Sequence, residues 1–96
     1  MNHDPSISKE MRARYLERRS SDLEILTQDL MSLNFESFKR IGHQLKGNAA
    51  SFGYNDLEKI CIELESAGLN SDAEKSRQCL ILFRAWLRFQ QGIAQE

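Results

Sequence analysis

His43-Gln44-Leu45-Lys46-Gly47-Asn48-Ala49-Ala50-Ser51-Phe52-Gly53 sets the register of the central part of this 96-residue chain. Apolar residues within and before it fall at Phe38, Ile41, Leu45, Ala49 and Phe52, a repeat of three and four that predicts one buried helical stripe. At about 100° per residue, His43 projects opposite Leu45, the centre of that stripe. A histidine that packs in a core belongs on the apolar side, and this one is on the wet side. Glu36, Lys39, Arg40, Lys46, Gly47 and Ala50 share its face.

Residues three and four apart on a helix are neighbours, so Lys46 and Gly47 occupy the turn beside the imidazole. Lys46 can set an ammonium next to an anion carried on the ring. Gly47 removes a side chain from that turn, and Ala50 keeps the following one low. An interior helical glycine costs about 1 kcal/mol relative to alanine, and this helix accepts two, Gly42 and Gly47. Close approach by another molecule accounts for Gly47, and tight helix–helix packing accounts for Gly42.

The segment from Ile41 to Gly68 resembles the signature of histidine-containing phosphotransfer domains. His43, Leu45, Lys46 and Gly47 match the family's histidine, apolar residue, lysine and glycine; a small-residue turn to Gly53 follows. The next helix matches at Leu57, Cys61, Leu64 and Glu65. The resemblance implies an all-α, antiparallel up-down-up-down four-helix bundle that carries phosphate between receiver aspartates in two-component phosphorelays. It also implies that His43 is the phosphoacceptor and Lys46 its charge partner. The expected partners are receiver domains of response regulators or hybrid histidine kinases, which would touch Lys39, Arg40, Gly47 and Ala50.

The chemistry is compatible with that role. A neutral imidazole keeps a lone pair on one ring nitrogen, which can attack an aspartyl phosphate and form a covalent phosphoramidate. Phosphoryl transfer needs mainly positioning and charge neutralisation. The pattern places no base or metal cluster beside His43, and in the family the receiver supplies the acidic pocket and Mg²⁺. The chain is therefore expected to bind no cofactor or metal of its own and to act as a phosphate carrier, not an enzyme. The alternative is a helical docking or adaptor module that binds receivers or kinases without taking phosphate. A stand-alone catalyst is disfavoured, since there is no phosphate-cradling glycine loop and no H-E-x-x-H site.

Length predicts one small domain over 1–96. A net charge of −1 argues against nucleic-acid binding. The absence of a bilayer-length apolar run argues against a membrane span, so a cytoplasmic monomer is expected. Cys61 and Cys79 lack metal-type spacing and read as buried thiols. Residues 1–20 carry five basic and three acidic side chains. Arg12, Arg14, Arg18 and Arg19 read as a solvated helix face, with an anion or partner site as the alternative. His3 carries no expected role.

Four helices are expected at about 7–33, 35–52, 56–67 and 72–91. Asp4-Pro5 suits the approach to the first, whose core residues are Tyr15, Leu16, Leu23, Leu26, Leu30 and Leu33. Ser21-Asp22-Leu23-Glu24 has the form of a capping box, which allows a kink or break near Ser20. Asn34 is expected to cap the second helix, with Leu33 and Phe38 as a staple, and Gly53 to end it in a left-handed conformation. Asn55 with Glu58 should open the third helix and Gly68-Leu69 close it. Ser71-Asp72-Ala73-Glu74 should open the fourth, with Cys79, Leu80, Phe83, Trp86 and Leu87 inward. Ile81, Leu82 and Phe89 do not fit that stripe. They either pack under the overhanging start of the first helix or form a sticky surface.

Overall fold

Ser8 opens the first helix: its backbone is extended and its hydroxyl accepts the N–H of Met11 at 3.1 Å. The computed structural model describes residues 7–95, so Asp4-Pro5 and His3 lie outside the described residues. Helix α1 runs from Lys9 to Met31 without a break at Ser20. Asp22 is not used as a cap there; it accepts from Arg19 Nε at 2.8 Å within the continuous helix.

Leu33 is the first correction. It takes a left-handed φ of 55° in the turn and is exposed, so it neither joins the core nor staples Phe38. Phe35 takes that place, with its ring centroid 6.2 Å from that of Phe38. Helix α2 spans Glu36–Ser51 with Phe35 at the N-cap position. Asn34 still serves this end, because its Oδ1 accepts the Glu36 N–H at 3.2 Å. Gly53 ends the segment at φ 80°, a conformation glycine adopts without steric penalty.

Helix α3 spans Asn55–Leu69, with Tyr54 and not Asn55 at the N-cap position and no side-chain cap. It continues through Gly68; the left-handed residue that closes it is Ser71, at φ 50°. The Asp72 N–H reaches back to the Ala67 carbonyl at 3.0 Å, and Asp72 Oδ1 accepts the Lys75 N–H at 3.0 Å. Asp72 therefore caps helix α4, Ala73–Gln95, where Ser71 was expected to. Gly68 has another task. A Cβ there would run into the backbone N of Lys39, so α3 meets α2 backbone to backbone.

Cross-helix pairs fix the topology. Arg12 and Tyr15 of α1 bond Phe52 and Asn48 in turn, so α1 and α2 run in opposite directions. Gly42 lies against Cys61 and Glu65, and Gly68 against Lys39, which reverses α3 relative to α2. Thr27 with Arg84 and Ser20 with Gln91 set α4 antiparallel to α1. Helix α4 also packs on α3, closing a four-helix ring with α2 diagonal to α4.

Phe38, Phe83, Leu26, Leu57 and Leu64 are fully buried at the centre. Ile41, Leu45, Ala49, Cys61, Cys79, Leu80, Trp86 and Leu87 surround them, and both cysteines are free thiols. The overhanging start of α1 covers the α2–α3 turn instead of the outer side of α4. Tyr15 stacks on Phe52 with ring centroids 4.2 Å apart, and the Arg12 guanidinium lies over Tyr54. Ile81, Leu82 and Phe89 are left exposed.

The arginines of α1 divide. Arg14 and Arg18 are exposed, as a solvated face requires. Arg12 is half-buried, and Arg19 is buried with its guanidinium 4.3 Å from the Tyr15 ring centroid. These two are structural cations that cover aromatic faces. Among the described residues no helix is long and apolar enough to cross a membrane.

Candidate functional site

Gly42 decides how the site is built. A Cβ on it would sit 2.6 Å from the Glu65 backbone N and 2.9 Å from the Cys61 carbonyl oxygen. Only a glycine lets α3 approach α2 this closely. That approach carries Glu65 to the edge of the wet face, one residue from His43 in the register of α2. His43 Nδ1 stands 2.9 Å from Glu65 Oε2, and Lys46 Nζ donates to Glu65 Oε1 at 2.7 Å. One carboxylate thus bridges two residues one turn apart, each through its own oxygen.

The electrostatics assign the proton. The Lys46 ammonium, opposed by partial desolvation and helped by His43, holds the Glu65 carboxyl below its usual range. Glu65 is therefore ionised at neutral pH and can only accept hydrogen bonds. His43 Nδ1 must then be the donor, which leaves the Nε2 lone pair free when the ring is neutral. The imidazole is 69 % exposed, whereas Glu65 is 18 % exposed and Lys46 39 %. The imidazole thus faces water, while the carboxylate that holds Nδ1 lies in the helix–helix seam.

The remaining predicted contact residues lie on the turns of α2 before and after His43. Gly47 has nothing within 4 Å of where a Cβ would be, so the turn beside His43 is open. Ala50 and Arg40 are exposed, and Lys39 is half-buried with Nζ 3.4 Å from Glu36. Among the described residues no group of three or more His, Cys, Asp and Glu side chains is gathered to hold a metal ion.

The profile of the Hpt domain family matches residues 10–95, nearly the whole chain. The chain belongs to the Hpt domain family. Neither the curated proteins nor the solved structures contain a match to it. Hpt domains are phosphotransfer modules of two-component signalling that interact with receiver domains and carry phosphate without being enzymes themselves.

In this Hpt domain the expectation that no basic group lies beside His43 is overturned by Glu65. Apart from its place in the matched α3 motif, its sequence signal is slight. Glu65 directly follows the buried Leu64 on the α3 stripe, at the edge facing Gly42. A glycine that lets two helices touch marks the carboxylate across from it as reachable, but only once the pairing of α2 with α3 is known.

Proposed function

We propose that this chain accepts a phosphoryl group on His43 from the phosphorylated aspartate of one receiver domain and passes it to the aspartate of another. The observation that carries this reading is the Glu65 carboxylate, bonded to His43 Nδ1 at 2.9 Å and leaving Nε2 exposed. The Nε2 lone pair attacks phosphorus. A P–N bond forms as the P–O bond to the aspartyl carboxyl breaks, and the electron pair leaves with the aspartate as a carboxylate. Nδ1 keeps its proton, and Glu65 balances the positive charge that the phosphorylated ring acquires. Transfer onward is the same step in reverse onto the next aspartate.

Lys46 supports this by its place. It is one turn from His43 and half-exposed, so its ammonium can turn from Glu65 toward a phosphoryl group on the ring. Gly47 and Ala50 give the receiver room to bring phosphorus to Nε2, and Lys39 and Arg40 supply charge at the edge of the contact. The chain binds no cofactor in this reading; the Mg²⁺ that neutralises the aspartyl phosphate belongs to the receiver.

The test is to incubate the protein and its His43→Gln variant with phosphorylated receiver domains of the source organism, following intact mass and acid lability. An acid-labile adduct on the parent and none on a folded variant is the expected result. Receiver binding without an adduct would make this a docking module instead. Lys46→Ala and Glu65→Ala should each slow transfer in both directions without abolishing it, and unchanged kinetics would remove the residue from the mechanism.

A further inference from the structure

The wet face of α2 has unlike neighbours on its two sides. Between residues 9 and 20, α1 carries five basic side chains (Lys9, Arg12, Arg14, Arg18, Arg19) against two acidic ones (Glu10, Glu17). Helix α3 carries four acidic side chains (Asp56, Glu58, Glu63, Glu65) against one basic (Lys59). His43 lies on the helix between them, so the potential across the site runs from positive at the first half of α1, even with Arg19 paired to Asp22, to negative at α3.

On the positive side a groove of about 310 Å³ is lined by Met11, Arg14, Tyr15, Arg18, Asn48 and Phe52, with Arg19 at its floor. Its inner parts are committed. Arg19 pairs with Asp22 at 2.8 Å, and the Tyr15 hydroxyl donates to Asn48 Oδ1 at 2.7 Å. Arg14 and Arg18 are exposed and have no hydrogen-bond or ion-pair partner among the described residues. The groove therefore has a rigid, partly aromatic floor and two unneutralised guanidinium groups at its rim.

Its position relative to His43 follows from helix geometry. Asn48 is five residues beyond His43, roughly 7.5 Å along the axis at 1.5 Å per residue, and turned toward α1. A protein partner of ordinary size covers about 800 Å², a disc roughly 16 Å in radius. A footprint that includes His43 reaches the groove if it extends toward α1. A donor that presents an acyl phosphate is anionic around its reacting aspartate, so the field draws it toward α1 and away from α3.

We propose that the α1–α2 groove is a docking subsite for an acidic edge of the receiver domain, with Arg14 and Arg18 selecting receivers that carry that charge and fixing their orientation over His43. The proposal rests on the phosphotransfer reading of His43. Arg14 is suited to a carboxylate by its planar fork of donors, as is Arg18, while the chemistry itself stays with His43, Glu65 and Lys46.

The experiment is single-turnover transfer from phosphorylated receiver domains of the source organism at varied protein and salt concentration. The Arg14→Glu/Arg18→Glu variant is compared with the parent and with Arg77→Glu/Arg88→Glu, which makes the same charge change on α4, across the bundle from α2. The groove variant should lose about tenfold or more in the second-order rate constant and most of its salt dependence. Its first-order rate at saturation should move far less, and the α4 variant should match the parent. Equal losses in both double variants would show a net-charge effect and overturn the subsite. So would a groove variant that equals the parent, while leaving the carrier role intact. A parent that takes no phosphate but binds receivers in a salt-sensitive, Arg14- and Arg18-dependent way would support the subsite and overturn the carrier. A parent that neither takes phosphate from any receiver nor binds one would overturn both. Thermal unfolding of each variant shows that the fold is kept, and Arg14→Gln/Arg18→Gln should give an intermediate loss.

Discussion

The seam between α2 and α3 and the outer side of α4 are both built from helix surface, yet they are opposites. In the seam, Gly42 and Gly68 bring two backbones into contact, and His43, Lys46 and Glu65 at its edge are held in fixed geometry by one another. On α4, Ile81, Leu82 and Phe89 project into solvent with nothing across from them. The first region is rigid because overpacking it is impossible, and that rigidity places a carboxylate on His43 without a loop. The second is apolar surface without positioned chemistry. Exposure alone does not make a site; a polar group oriented by close packing beneath it does.

The sharpest break of this contrast is a methyl group in the seam. Gly68→Ala puts a Cβ into the Lys39 backbone and Gly42→Ala puts one 2.6 Å from the Glu65 N, where no flexible side chain can yield. Each should cost about 3 kcal/mol or more, at or beyond the upper end for overpacked sites. For a domain of this size that is a fall of more than about 10 °C in Tm. Gly42→Ala should also lengthen the His43–Glu65 contact and slow transfer beyond what the lost stability explains. Gly47→Ala in the same helix, facing open space, should instead raise stability by up to about 1 kcal/mol. Equal effects at Gly42 and Gly47, read by urea unfolding, would show that the seam is not close-packed.

That pair of glycines also shows what could be read without coordinates. The α2 stripe, the outward His43 and the different reasons for Gly42 and Gly47 all follow from periodicity, because a helix with one wet face repeats its pattern every turn. What could not be read were features set by another element. Gly68 has the local look of a helix end, but tertiary contact with Lys39 uses it inside α3, and Ser71 closes the helix in a strained conformation. Leu33 follows the α1 repeat, yet the chain turns before it and leaves it outside. Arg12 looks like a surface charge and is half-buried because the Tyr54 ring, beyond the end of α2, accepts it. Glu65 is marked only as part of the matched α3 motif, and its contact with His43 could not be read because it depends on which helix α2 meets.

A second, smaller effect reads the packing by pH, both in the seam and where α1 covers the end of α2. Burial pushes the Cys61 thiol, whose carbonyl faces Gly42, from 9.0 up to about 12, and the Tyr15 hydroxyl from 10.0 up to about 12. A raised folded-state pKa means that the unfolded chain loses its proton first. The stabilisation is therefore intact below pH 9 and is lost as the pH rises toward 12. By pH 11 the Cys61 thiol alone should account for about 3 kcal/mol of lost stability. Cys61→Ala should be less stable at neutral pH and flatter between pH 9 and 11, measured by urea midpoints. An unchanged alkaline slope in that variant would mean that the thiol is reached by water in the folded state. The Glu65 end of the seam behaves oppositely. Its lowered carboxyl contributes above its ordinary value of 4.5 and loses that contribution as the pH falls through its folded value.

The smallest effect is expected on α4. Leu82→Gln and Phe89→Gln remove apolar side chains that are more than half exposed, so neither opens a cavity nor buries a polar group. Both should stay within about 0.5 kcal/mol of the parent, with transfer rates unchanged because α4 lies diagonal to α2, the helix that carries His43 and Lys46. The value of this result lies in its sign relative to Gly68→Ala. One added methyl in the seam should outweigh the removal of a whole phenyl ring from α4, although hydrophobic content alone predicts the reverse. If Phe89→Gln instead lowers the urea midpoint as a core truncation would, by about 2 kcal/mol or more, then something covers that ring in solution. A concentration-dependent midpoint would identify the cover as a second copy of the chain, and the contrast between a packed seam and a free face would no longer hold.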